Sequence, residues 1–164
     1  MSNVRFEFPK LRLAQQLKEA GGLAVADAVE AASANLAELR PACLTELQRA
    51  TQEAQDCFNG FGKTYSEASL KALYAICARA VGVGAVCGAP QADGALVSLC
   101  DLVDRMMNLE RCDREPIAVH IQTLQILAFR AAQGDDAAKA EDVLAGLRKV
   151  SARYLNPPPR AASA

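Results

Sequence analysis

Residues Leu23–Phe58 read LAVADAVEAASANLAELRPACLTELQRATQEAQDCF, and their phase decides the fold. Val29, Leu36, Cys43, Ala50 and Cys57 fall seven apart, and Ala32, Leu39, Leu47 and Ala54 fill the complementary positions with one slip. Such 3-4 spacing puts the apolar side chains on one stripe of an α-helix, the seam of a packed helix. Pro41 lies inside it. Proline has no amide to give the Ala37 carbonyl and crowds that turn, so a kink is expected. The apolar phase carries on across Pro41, which predicts one long bent helix.

Working outward, Asn59-Gly60-Phe61-Gly62 is a breaker. Ser66 is a good N-cap for a helix carrying Leu70, Leu73, Cys77, Ala80 and Gly84 on one stripe, ended by Gly88-Ala89-Pro90. Asp93 is read as the cap of a helix to about Glu110, with Leu96, Leu99, Cys100, Val103, Met106 and Met107 facing the core and Asp101 and Arg105 spaced to pair on the surface. Asp113-Arg114-Glu115-Pro116 opens a helix that stops at Gly134. The last helix, from about Asp136 to Leu155, carries Val143, Leu147, Val150 and Tyr154. Before the long helix, a short one spans Lys10–Ala20 and is stopped by Gly21-Gly22. The reading is all-α: an antiparallel four-helix bundle with additional short N-terminal and C-terminal helices. The organisation is an N-terminal segment with a short helix (1–22), a helical bundle domain (23–155) and a disordered Pro/Ala tail (156–164).

Composition agrees. Of 164 residues 51% are hydrophobic, but aromatics are 5% and tryptophan is absent. Alanine and leucine dominate, and strong strand formers are sparse. A formal charge of −1 gives no basic field for nucleic acid or an anionic membrane. The first eight residues carry no apolar h-region, so no secretory signal is expected. The most membrane-like stretch, Ala72–Pro90, has Arg79 near its middle, which disfavours insertion by about 2.5–3.5 kcal/mol. A cytoplasmic protein is expected.

Chemistry-bearing residues are few. Six cysteines stand at 43, 57, 77, 87, 100 and 112, with no CxxC or zinc-finger spacing. They read as buried thiols of a reducing compartment, with neither metal nor cofactor. His120 is the one histidine. With Ile117 at zero and about 100° per residue, it falls near 300°, between Leu127 near 280° and Leu124 near 340°. A half-buried structural histidine is the expectation. The acid pairs Asp135-Asp136 and Glu141-Asp142 lack the Glu-x-x-His repeats of a carboxylate metal bundle. Gly82-Val83-Gly84 and Gly88 sit near a helix C-terminus, where phosphate binding is not expected.

Two resemblances add to this. ALYAICARAVGV, Ala72–Val83, is similar to the histidine phosphotransfer signature of four-helix bundles. Aligned on Arg79, Val81 and Gly82, it puts Ala72 at the reactive histidine, Ala75 at the lysine and Ile76 at the glycine. All three depart from the pattern, so the resemblance implies an inactive relative. More broadly, Gly21-Gly22 with the helix through Ala34-Asn35-Leu36, then SLCDLVDR from Ser98 and VHIQTLQ from Val119, resemble the CheE family of alphaproteobacterial chemotaxis accessory proteins. That resemblance spans roughly residues 21–127. It implies a signalling-linked partner binder without enzymatic activity.

The expectation is therefore a non-enzymatic binding module acting on a response-regulator receiver or a histidine kinase, with no catalytic residue and no binding residue assigned. Two alternatives stand beside it: a phosphotransfer protein using His120 as phosphoacceptor, and a self-associating structural bundle.

Overall fold

A computed structural model describes residues 21, 22, 24–134 and 140–155. The chain divides into two compact units, Met1–Asn35 and Leu36–Ala164. The described part of the first unit is helical from Val25 onward, and Ser33 donates its hydroxyl to the Val29 carbonyl at 2.8 Å. The expected helix over 10–20 and the tail over 156–164 lie outside the described residues, as does the start of the last helix before 140.

All-α is the fold class; no strand occurs among the described residues. The helices are α1 (Val25–Asn59), α2 (Glu67–Ala80), α3 (Val83–Val86), α4 (Pro90–Asn108), α5 (Arg114–Gln133) and α6 (Ala140–Leu155). α1 is one continuous helix with Pro41 inside it. Its apolar seam changes character along its length. Leu47, Ala50, Ala54 and Phe58 are buried, whereas Val29, Leu36 and Leu39 are exposed. Periodicity sets which residues share a face. It does not set whether a neighbour covers that face.

Pro41 is exposed, and its carbonyl accepts the Thr45 hydroxyl at 3.1 Å. With no packed neighbour to accommodate, Pro41→Ala should restore the bond to Ala37. The expected gain is about 1–3 kcal/mol of local helix stability. Slower amide exchange around residues 38–45 would register it; faster exchange would contradict it.

α2 begins as read. Ser66 Oγ accepts from the Ser69 amide at 3.3 Å. Its end differs. The helix stops at Ala80, Gly82 turns the chain with φ +95°, and a single turn, α3, follows. The Asp93 reading is corrected at the same place. Ala89 is the N-cap of α4 and Pro90 opens it. Asp93 lies in the first turn, and its carboxylate reaches back to accept the amides of Gly82 (2.9 Å), Gly84 (3.0 Å) and Ala85 (2.7 Å). The Gly-rich turn is therefore an anion cradle already filled by the protein's own carboxylate.

α4 is the central helix and packs against α2, α3, α5 and α6. Ala92, Ala95, Leu96, Leu99, Leu102, Val103 and Met106 are buried along it. α1 carries no basic residue in its last turn. Arg114 of α5 supplies one: Nη1 donates to the Phe61 carbonyl at 2.7 Å, Nη2 to the Phe58 carbonyl at 3.5 Å, and the guanidinium lies 4.6 Å from the Phe58 ring centre. A cation there answers the negative end of the helix dipole. Gly134, with φ +70°, ends α5 as expected. On α6 Leu147 faces the core as expected and Val150 is half-buried, but Leu144 takes the place read for Val143, and the side chain of Tyr154 lies outside the described residues. Leu144 and Leu147 are buried and Val143 is exposed. Gly94 leaves room for Leu144, whose Cδ1 would stand 3.1 Å from a Cβ at that position. Asp101 and Arg105 form no ion pair among the described residues.

One stretch among the described residues, Glu67–Val86, is long and apolar enough to cross a membrane by length and composition. It is interrupted at Gly82, between α2 and α3.

Candidate functional site

His120 is fully buried, deeper than its wheel position implied. Its backbone turn gives it one partner: Nδ1 lies 2.7 Å from the Pro116 carbonyl, one helical turn back. A carbonyl can only accept, so Nδ1 carries the proton and Nε2 is the acceptor. Ser98 Oγ from α4 stands 3.0 Å from Nε2, and Ser151 Oγ from α6 stands 3.4 Å away. The two hydroxyls are 3.2 Å apart. One proton assignment gives every donor a partner: Ser151 donates to Ser98, Ser98 to His120 Nε2, and His120 Nδ1–H to Pro116, which leaves the 3.4 Å approach of Ser151 to Nε2 without a proton between them. Burial holds the His120 pKa below its ordinary value, opposed only by the Pro116 carbonyl, so the ring is neutral near pH 7.

The two hydroxyls of the relay, but not His120, line a cleft of about 680 Å³ between α4 and α6. Val97, Leu102 and Leu144 give apolar walls, Ser98 and Ser151 the floor, and Asp101, Asp104, Arg105 and Arg148 the polar margin. A hydroxyl on an oriented neutral imidazole meets the first geometric demand of an activated nucleophile. The second demand is a set of free donors where an oxyanion would form. Ser98 sits mid-helix in α4, where the amides around it serve the helix's own carbonyls. The contacts among Ser98, His120 and Ser151 tie α4, α5 and α6 together.

The other residues singled out by the sequence are scattered. Ala72 and Ala75 lie exposed on α2, and Ile76 is half-buried against the core. Arg79, the aligned arginine, is engaged with Glu53 of α1 at 2.5 Å. Glu141 pairs with Arg148 at 3.4 Å, Asp142 is exposed, and Asp135 and Asp136 lie outside the described residues. No group of three His, Cys, Asp or Glu is placed to hold a metal among the described residues.

All six thiols are free. Cys77, Cys87 and Cys100 are buried, while Cys43, Cys57 and Cys112 are half-buried. Contact with the Cys100 thiol, then burial, pushes Cys77 up; burial alone raises Cys57. Raised thiols are slow nucleophiles. In denaturant without reductant all six should titrate with a thiol reagent. In the folded protein Cys43, Cys57 and Cys112 should lead and the other three should wait for unfolding. A total below six would reveal a disulfide and refute this.

A second feature faces outward. The buried side of α5 carries Ile117, His120, Ile121, Leu124 and Leu127. Its opposite side carries large apolar groups among its glutamines: Ile126 is 60% exposed and Phe129 65%, with Val119 two to three turns earlier. With Gln122 and Gln125, Ile126 and Phe129 line a shallow depression of about 420 Å³. Gln125 is itself steadied by Gln55 of α1, Nε2 to Oε1 at 3.1 Å. Sequence reasoning assigned no role to Ile126 or Phe129, although ILAF from Ile126 breaks the polar half of the helical pattern and was the signal to follow. Ser98 and Ser151 carried no such signal. No family model matches the chain, and neither a curated protein nor a solved structure shows significant similarity to it.

Proposed function

We propose that this chain is a non-enzymatic, cytoplasmic helical module that works by binding another protein, with the outer face of α5 as its docking surface. The observation that carries the reading is the pair Ile126 and Phe129, large, adjacent and mostly exposed on a helix whose other face already fills the core. Large apolar groups exposed on the side opposite a buried stripe mark a face that another protein can cover. An exposed aromatic beside an aliphatic is the usual anchor of an interface. In this reading the C-terminal half of α1 with α2, α4 and α5 makes the four-helix bundle, and α6 is the additional helix. The resemblance to CheE points to a receiver or kinase domain of chemotaxis or two-component signalling as the partner.

Phosphotransfer through His120 is the weaker reading. A phosphoryl group needs an exposed nitrogen, and this ring is buried with Nε2 committed to Ser98. A dianion there would be driven against apolar side chains at a cost of several kcal/mol.

The test is affinity capture from the source cell with the wild type and with Phe129→Asp, followed by titration of the captured protein against both. Ile126→Asp serves as the second variant. Loss of at least about tenfold in affinity, roughly 1.4 kcal/mol, is expected for a residue of this kind. A saturable partner bound equally well by both variants would remove α5 from the reading. Acid-labile phosphate on the wild type, absent from His120→Asn, would replace it with the phosphotransfer alternative.

A further inference from the structure

We infer that the cleft between α4 and α6 is a small-molecule site and that its ligand is a primary ammonium carried on an apolar body. The cleft lies within the unit Leu36–Ala164, and its volume of about 680 Å³ is that of sites which enclose small ligands. Its walls follow an order. Gly94 of α4 meets Leu144 of α6, and further along both helices Ser98 meets Ser151. Asp101 follows Ser98 by about one turn, and Asp104 and Arg105 by about two. The cleft therefore runs from an apolar end, past two hydroxyls, to a charged end.

The hydroxyls decide what the head group must offer. Ser98 is 9% exposed and gives its proton to His120, whose other nitrogen is fixed by the Pro116 carbonyl. Ser151 gives its proton to Ser98. A hydroxyl has one proton and two lone pairs. Both lone pairs of Ser151 and one of Ser98 are left, so the pair accepts from a ligand and has nothing to donate. An ionised carboxylate or phosphate, which only accepts, finds no partner at this floor. A head group with N–H donors does.

Charge chooses among the donors. The lining carries three carboxylates, Asp93, Asp101 and Asp104, against two guanidiniums, Arg105 and Arg148. Arg148 is matched by Glu141 at 3.4 Å, and Asp93 is turned to the amides of Gly82, Gly84 and Ala85. At the charged end that leaves Asp101 and Asp104 against Arg105, an excess of negative charge. An ammonium supplies three donors and the opposite charge together, and its hydrogen bonds to these oxygens are charge-assisted. The walls set the rest of the ligand. Leu102 and Leu144 are buried and Val97 is 44% exposed, so an apolar body laid on Val97 takes that side chain out of water.

The site is on α4 and α6, so the inference is independent of the α5 docking face, and the test keeps the two apart. The isotope-labelled full chain is titrated near neutral pH with phenethylammonium and followed by amide NMR. Hydrocinnamate and phenethyl alcohol, with a similar apolar body and an anionic or a neutral head, are titrated beside it. Phenethylammonium should give saturable shifts at Val97, Ser98, Asp101 and Ser151, and hydrocinnamate should bind at least about tenfold more weakly. Asp101→Asn, at an exposed position, should weaken the ammonium about threefold. Ser151→Ala should weaken it about fivefold. Circular dichroism melts establish that both variants fold, and Asp101→Asn carries the test alone if Ser151→Ala does not. Phe129→Asp should bind the ammonium as wild type does. No saturable shift at these residues overturns the inference. So does hydrocinnamate or phenethyl alcohol binding as tightly as the ammonium, or an ammonium affinity that the folded variants leave unchanged.

Discussion

Gly84→Ala is expected to lower the melting temperature by roughly 5–15 °C, the equivalent of about 2–4 kcal/mol in a chain of this size. A Cβ at Gly84 would stand 2.6 Å from the Ala89 carbonyl oxygen and 2.9 Å from Asp93 Oδ1. Neither neighbour is free to give way. The Ala89 amide is bonded to the Gly84 carbonyl at 2.7 Å, and Asp93 holds the amides of Gly82, Gly84 and Ala85. Relief of the clash means opening the turn that joins α2 to α4. Gly146→Ala is the contrast. Gly146 lies within α6, nothing stands within 4 Å of its Cβ direction, and the helix should gain about 0.5–1 kcal/mol. Calorimetric melts of the two variants should therefore move in opposite directions. A Gly84→Ala protein melting with the wild type would show that this turn is not built as described.

The two glycines also mark where sequence reading succeeds and where it stops. Apolar phase made the helices legible: α1 across Pro41, the buried stripe of α2, the core face of α4, and the Gly134 stop all follow from local periodicity and backbone preference. Gly82 and Asp93 did not yield to it. A run of small residues continues a helix as readily as it breaks one, and only the left-handed turn at Gly82 frees three amides for Asp93. Asp93 stands in front of an apolar run, which is where an N-cap belongs, so its capture by another turn is a tertiary event. The same holds for α6, where Leu144 rather than Val143 faces inward because Gly94 of α4 leaves space for it.

The polar relay was hidden for a different reason. Ser98, His120 and Ser151 come from three helices and share no spacing that a motif could carry. His120 alone was visible, as a polar residue in an apolar stripe. That Ser98 would be its partner depends on how α4 crosses α5. The outer face of α5 was legible in principle. Ile126 and Phe129 lie on the side where a simply amphipathic helix would be polar, and the assumption of one buried face per helix concealed them.

Replacing His120 should give the other large effect, and it carries a pH signature. His120→Ala removes a fully buried ring and leaves a void together with a Ser98 hydroxyl that has lost its acceptor. The void and the stranded donor together should cost about 3–5 kcal/mol. The signature comes from the native pKa, which burial holds below the ordinary histidine value. In the unfolded chain His120 titrates near about 6.5. Between that value and the lower native one, the unfolded state binds a proton that the native state refuses. Stability is therefore fully present above the unfolded pKa, falls as pH drops through it, and levels off once the native ring is itself protonated. The slope in that window approaches about 1.4 kcal/mol per pH unit, which is 2.303RT for the one proton that the two states bind differently. His120→Gln keeps polar groups in the site but cannot titrate. Denaturant unfolding at about pH 7.5 and 5.5, where most carboxylates stay ionised, should show wild type losing stability in acid and His120→Gln losing much less. Equal losses in the two proteins would mean that the imidazole takes up its proton in the folded state as easily as in the unfolded one, and that burial does not hold it neutral.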